Sequence, residues 1–262
     1  MENISKIGRI FYGMALAEIG LQAIYCRDFP YMLFPANHSS IPGLAIMAVI
    51  GGILFILAGT SIVFEKNTRQ ISLLSGGVLL LIFCFYYIPY EFIVSGNYMH
   101  LAEWENAEKE LALAGGALAI AGCFPAKNEN PFYGSLGKLI PAGAIFFSIT
   151  MISFGILHFL YAKEASTLVP SWIPGHIFWT YFCGAALIGS GIAIILKINV
   201  KLFAGLLGLM IFLWFVSLHI PRVIVAPVAD RPDEISSAFI ALAYSGIAFV
   251  IAGAAKKSKV SA

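Results

Sequence analysis

The sequence predicts an all-α integral membrane protein: eight transmembrane helices, arranged as two parallel four-helix-bundle repeats. Three observations predict it. Of 262 residues, 60% are hydrophobic and only 11% are charged, where soluble domains carry roughly 25% charged residues. The apolar residues gather into eight runs, each long enough to cross a bilayer core of about 30 Å, which takes about 20 helical residues. Glycines and prolines also recur in the same order in the two halves.

The runs are 8–26, 42–64, 71–94, 108–124, 139–162, 175–197, 199–221 and 235–255. Glu18 and Gln22 interrupt the first, which argues against a cleavable signal peptide, and no A-x-A site precedes mature-looking sequence. The second carries Gly51, Gly52 and Gly59. The third carries Gly76 and Gly77 and ends on a polar cluster of Tyr86, Tyr87, Tyr90 and Glu91. The fourth is the least hydrophobic, because Glu108, Lys109 and Glu110 stand at its start. The fifth holds His158, and a connection with Pro170, Trp172 and Pro174 leads to the sixth, punctuated by Gly184, Gly189 and Gly191. The seventh carries Gly205 and Gly208 and closes on His219-Ile220-Pro221-Arg222; the eighth follows an acidic loop over 230–234. Lipid offers no hydrophobic drive between helices, so these small residues imply close packing. Each half then reads as a tight four-helix bundle, the two side by side.

The repeat is legible at fixed spacing. Gly20 and Gly155 are 135 residues apart, as are Pro35 and Pro170. Gly59 and Gly191, Gly76 and Gly208, and Pro89 and Pro221 are 132 apart. Gly115 and Gly246, Gly122 and Gly253, and Glu103 and Glu234 are 131 apart. Four spans per repeat is an even number, so the halves share one orientation. The boundaries are 1–125 for the first repeat, 126–138 for a cytoplasmic linker and 139–262 for the second repeat.

Charge sets the orientation. Lys6, Arg9, Lys66, Arg69, Lys127, Lys138, Lys197, Lys201, Lys256, Lys257 and Lys259 fall on the side of the termini, eleven of the sixteen basic residues. Only Glu2, Glu65 and Glu129 oppose them there. The positive-inside rule puts both termini in the cytoplasm. A net charge of +2 gives no reason to expect nucleic acid. Cys26, Cys84, Cys123 and Cys183 form no C-x-x-C pair and read as small hydrophobes.

The second half, over about 148–254, resembles the DoxX/DoxD-like family of small four-helix membrane proteins. The motifs that carry the resemblance are Gly155-x-x-His158-Phe159, the Val169-Pro170-x-Trp172-x-Pro174 connection and the glycine-spaced helix after it. To these add His219-Ile220-Pro221-Arg222, the acidic loop, and Ser237-Ala238-Phe239. The first half keeps Gly20, Pro35 and Pro89, but has Ala23, Tyr87 and Tyr90 where His158, His219 and Arg222 fall. The resemblance implies a multi-pass protein of the bacterial inner (cytoplasmic) membrane and a fused tandem whose second copy kept the polar positions. It also implies a link to quinone chemistry, through the small subunits of thiosulfate:quinone oxidoreductases.

Candidate ligand-binding residues follow from depth. His158 lies about one helical turn, roughly 6 Å, below the outer end of its span. His219 falls in the last turn of the seventh span, with Arg222 directly after, and His176 in the first turn of the sixth. Trp172, Trp179 and Tyr161 lie at the same level, where an aromatic belt is also expected. Ionisable groups inside spans usually face a bundle interior or a polar cavity; two histidines satisfying each other by a mutual hydrogen bond is the alternative. Glu18, the one carboxylate deep in a span, shares a helix face with Gln22. It reads either as a neutral acid bonded to Gln22 or as a proton-relay or cavity residue.

Three functions fit. The first is a quinone-linked oxidoreductase subunit, in which His158, His219 and Arg222 donate to quinone oxygens while a partner redox subunit or a small reductant supplies electrons. The second is a small-molecule or lipid transporter with Glu18 as its coupling residue. The third is a scaffold subunit. No metal-ligand, P-loop, dinucleotide or c-type haem motif appears. A haem between His158 and His219 is not expected, because it needs facing helices with the macrocycle between them.

Overall fold

A computed structural model describes residues 2–30, 33–34, 42–126 and 130–255. Pro35, the basic residues Lys127, Lys256, Lys257 and Lys259, and Glu129 lie outside the described residues. Within them all secondary structure is helical. The long helices are α1 (Glu2–Cys26), α2 (Leu44–Val63), α3 (Thr68–Ser95), α4 (Glu105–Gly122), α5 (Gly143–Leu160), α6 (His176–Ile195), α7 (Val200–Val225) and α8 (Arg231–Ala254). Seven of them are long and apolar enough to cross a membrane. A backbone in lipid must satisfy its own hydrogen bonds, which a helix does. The exception is α4, whose first two turns hold Glu105, Glu108, Lys109 and Glu110. The charged stretch expected at the helix boundary is thus inside the helix, which starts at Glu105.

Proline shapes α3 and α7. Pro89 and Pro221 lack an N–H, and their rings would clash with the carbonyl four residues back. Each helix widens into a π turn just before them, over Phe83–Tyr87 and Phe215–His219. There the N–H of Ile88 reaches the carbonyl of Phe83, and that of Ile220 reaches Phe215, five residues back in both. Turns before and after the neighbouring helices are also alike. Gly43 and Gly175, immediately before α2 and α6, sit at φ 76° and 75°; Glu65 and Lys197, after those helices, at 57° and 58°; Asn67 and Asn199, before α3 and α7, at 51° and 38°.

The helices close into a ring in chain order. Each packs on the next, α8 packs back on α1, and α4 and α8 also meet across the middle. Glycine sets the closest approaches. A Cβ at Gly8 of α1 would stand 2.3 Å from the carbonyl oxygen of Gly246 on α8, and one at Gly115 of α4 would stand 2.5 Å from that of Gly143 on α5. Both contacts join the first half to the second, so the halves interlock through α1–α8 and α4–α5 as tightly as they pack within themselves. A hydrogen bond reinforces the α4–α5 joint, Thr150 donating to the Glu108 carbonyl at 2.8 Å, and within the first half Tyr12 of α1 donates to the Leu113 carbonyl of α4 at 2.8 Å.

Ser5 lies against Gly253 at one end of α1, while Gln22 meets Pro232 and Ser236 at the other. Helices α1 and α8 are therefore antiparallel, and the start of α1 and the end of α8 share one end of the ring. At that end two arginines cap helix carbonyls, which favour a cation. Arg9 donates to Ile62 and Val63 and pairs with Glu65 at 2.5 Å, and Arg69 donates to Ala121 and Phe124.

Candidate functional site

At the opposite end, in the second half, a cavity of about 380 Å³ opens between five helices. The last two turns of α5 bring Phe154 and His158, and α6 brings Trp179, Thr180 and Cys183. The π turn of α7 and the turn after it bring Trp214, Leu218, His219 and Arg222. Glu234, Ser237 and Tyr244 come from α8, and Glu105 and Lys109 from α4. The π turn matters here because it shifts the helical register just ahead of Pro221, and such insertions often accompany functional sites.

The cavity's polar groups divide into held and unheld. Arg222 grips Glu234 with two parallel bonds, Nε to Oε2 at 2.8 Å and Nη2 to Oε1. Lys109 pairs with Glu105 at 2.6 Å. Each cation is thus neutralised by an adjacent anion, and with neutral imidazoles the formal charges of the cavity cancel. His158 Nδ1 lies 2.7 Å from the Phe154 carbonyl; a carbonyl only accepts, so Nδ1 carries the proton and Nε2 of the neutral ring is an acceptor. His219 Nδ1 is buried without a hydrogen-bond partner. Burying such a group unpaired costs on the order of 1–3 kcal/mol. Two rings wall one side: Trp179 and Trp214 meet edge to face with centroids 6.4 Å apart, and Trp214 Nε1 donates to Cys183 Sγ at 3.0 Å.

The sequence-predicted residues separate into three groups. His158, His219 and Arg222 line this one cavity. The partner of Arg222 is Glu234, and no hydrogen bond joins the two imidazoles among the described contacts. Trp172 is highly exposed and lines a neighbouring apolar groove instead. His176 opens α6, lines neither space, and offers its carbonyl to Thr180 at 3.0 Å. Glu18 is buried on α1, with Oε2 unpartnered. Its neighbour Gln22 is taken up by α8, donating to the Pro232 carbonyl at 3.1 Å and accepting from Ser236. Ser237, next in sequence, lines the cavity, so α8 stands between Glu18 and the site.

Sequence reasoning missed the contribution of α4. Glu105 and Lys109 reach the cavity from the other half of the chain, and their i, i+4 spacing, a favourable helical ion pair, was the available signal. It also missed Glu110, which is fully buried with both carboxyl oxygens unpartnered. In the first half Tyr87 is buried and Tyr90 half-buried. No protein-family model, curated protein or solved structure matches this chain.

Proposed function

We propose that this chain binds a quinone or its quinol in the second-half cavity and serves as a quinone-interacting or accessory subunit of a membrane redox system. The observation that carries this reading is the cavity's composition: two imidazoles with unused nitrogens, aromatic walls, and ion pairs whose charges cancel. An anionic lipid headgroup calls for surplus positive charge, and here Arg222 and Lys109 are already matched. A neutral ring with hydrogen-bonding oxygens fits better. The volume falls in the range usual for small-molecule sites, about 300–1,000 Å³.

A bound quinone supplies reversible two-electron, two-proton chemistry. The chain's own groups bind and orient it. His158 Nε2 accepts from a quinol hydroxyl, His219 Nδ1 gains the partner it lacks, and Phe154 and Trp179 pack against the ring. The chain has no redox-cofactor motif, so electrons come from a partner subunit or a small reductant. The resemblance of 148–254 to DoxX/DoxD-like proteins points the same way.

The same proposal includes eight spans, α4 among them, two parallel repeats and cytoplasmic termini. What supports the repeat is recurrence at a spacing of 132. Helices Leu44–Val63 and His176–Ile195 correspond end to end, as do Thr68–Ile82 and Val200–Trp214 and the two π turns. What supports α4 as a span is its place in the ring between α3 and α5. The capping arginines Arg9 and Arg69 support cytoplasmic termini.

Quinone extracted from the purified wild-type protein, and its loss from His219→Ala, tests the binding. A wild-type protein that carries no quinone and takes up none on titration sinks the proposal. The unpartnered carboxyl oxygens of Glu18 and Glu110 favour a second reading, a proton-coupled transporter. Solute uptake abolished by Glu18→Gln would install it.

A further inference from the structure

Beside the polar cavity, on the lipid-facing side of α6 and α7, lies an apolar groove of about 680 Å³. Its floor on α6 is Ala185, Ala186 and Gly189, and its wall on α7 includes Leu206, Met210 and Leu213. Trp179, Met210 and Trp214 border both spaces. The groove and the cavity are therefore separated by one layer of side chains, chiefly the two tryptophans.

Small residues on a membrane helix ordinarily allow another helix to approach. Gly184 and Gly191 do so here, backing onto α5, but a Cβ added at Gly189 would meet nothing within 4 Å. This face of α6 is therefore open for a reason other than packing within the chain. The first half supplies a control. The positions 132 residues earlier are Ile53, Leu54 and Leu57, all large and exposed, and those matching Trp179 and Trp214 are Met47 and Ile82. Small floor, paired tryptophans and the two cavity histidines occur together in one half, and the matching positions of the other half have none of them.

Building on the binding proposed above, we infer that the groove between α6 and α7 seats the isoprenoid tail of the quinone. The molecule enters sideways from the bilayer, and Trp179 and Trp214 form the partition its head passes to reach His158 and His219. The head is polar and ring-shaped and the tail is a flexible hydrocarbon, so the ligand needs a polar cavity and a lipid-side apolar groove that adjoin. A site reached only from the aqueous end would need no groove here.

Two probes test this on the full chain in nanodiscs, read by quenching of tryptophan fluorescence: a tail-less benzoquinone and the same ring carrying a decyl tail. Gly189→Leu and Ala186→Leu install the first half's residues. Leu206→Trp blocks the groove from α7 at an exposed position, which guards against misfolding of the α6 variants. The expected result is that the variants weaken the tailed probe about tenfold or more and leave the tail-less probe unchanged. Equal affinity for the tailed probe in wild type and all variants overturns the inference, as does an equal loss for both probes. So does a change in oligomeric state with tail dependence intact, which would make the groove a helix-docking face. Should wild type bind neither probe, the quinone reading itself fails; should it bind both with equal affinity, only the groove does.

Discussion

Helices α2 and α3 share with α6 and α7 their lengths (for α3 and α7, as far as the π turn), their turn conformations and the π turn, and carry different side chains. In the second half, the space below the α5–α6 connection is a cavity edged by His158, His219 and Arg222. In the first, aromatic rings occupy the matching region. Phe34 stacks on Phe29 with centroids 4.6 Å apart and meets Tyr86 at 4.6 Å, and Tyr87 is buried where His219 falls in the second half. The π turn and its proline are common to both, so they are a property of the scaffold. The site is a property of the side chains hung on it. Backbone distortion alone therefore does not single out the candidate site; the unpartnered imidazole of His219 distinguishes the second π turn from the first.

The largest effect that tests this comparison is structural. Gly8→Leu should disrupt the α1–α8 joint that both halves depend on, since even a Cβ there meets the Gly246 carbonyl, and overpacking a core typically costs about 1–3 kcal/mol or more. A lowered midpoint of thermal unfolding in detergent is expected. Gly189→Leu, in the open groove, should leave the midpoint in place. If both glycines behave alike, the distinction between packing and site glycines is lost.

Next come the histidines. His158→Ala and His219→Ala should each weaken quinone binding by about ten- to a hundredfold, the value of one or two buried hydrogen bonds, with the folded protein still in the membrane. Ala23→His in the first half should create no second site, because the rings of Phe29, Phe34 and Tyr86 pack together in the matching region.

A subtler test concerns Arg222 and Glu234. Removing one partner strands a charge at the cavity wall, so Arg222→Met or Glu234→Gln alone should impair binding more than the double variant does. Additive losses would mean that Arg222 contacts the ligand directly, independently of its pair. The smallest effect is expected at Glu110, which lies outside the cavity: Glu110→Gln should leave quinone affinity unchanged, whereas loss of an uptake activity would favour the transporter.

Much of this was legible in the sequence. Length and apolarity mark eight apolar runs, of which seven form helices long and apolar enough to cross a membrane, and Gly, Pro and His spacing points to His158, His219 and Arg222. Two things were hidden for physical reasons. Hydropathy treats Glu105, Glu108, Lys109 and Glu110 as a reason to doubt a span, whereas α4 packs against α3, α5 and α8, buries Glu110 and pairs Lys109 with Glu105. Close packing across the halves was also invisible. The Gly8–Gly246 contact depends on which helices meet in space, and small residues announce only that some approach occurs. The same limit explains why Trp172 and His176 do not line the cavity: an expected depth does not say which way a side chain turns.

The central claim is that one half holds the quinone site and the other does not, and an exchange of residues between them tests it most directly. Tail-less benzoquinone titrated against His219→Tyr and Tyr87→His, with tryptophan quenching as the signal, compares the halves under one condition. The account predicts that His219→Tyr loses binding while Tyr87→His keeps wild-type affinity at a single site. Full affinity in His219→Tyr, or a loss in Tyr87→His alone, would contradict it.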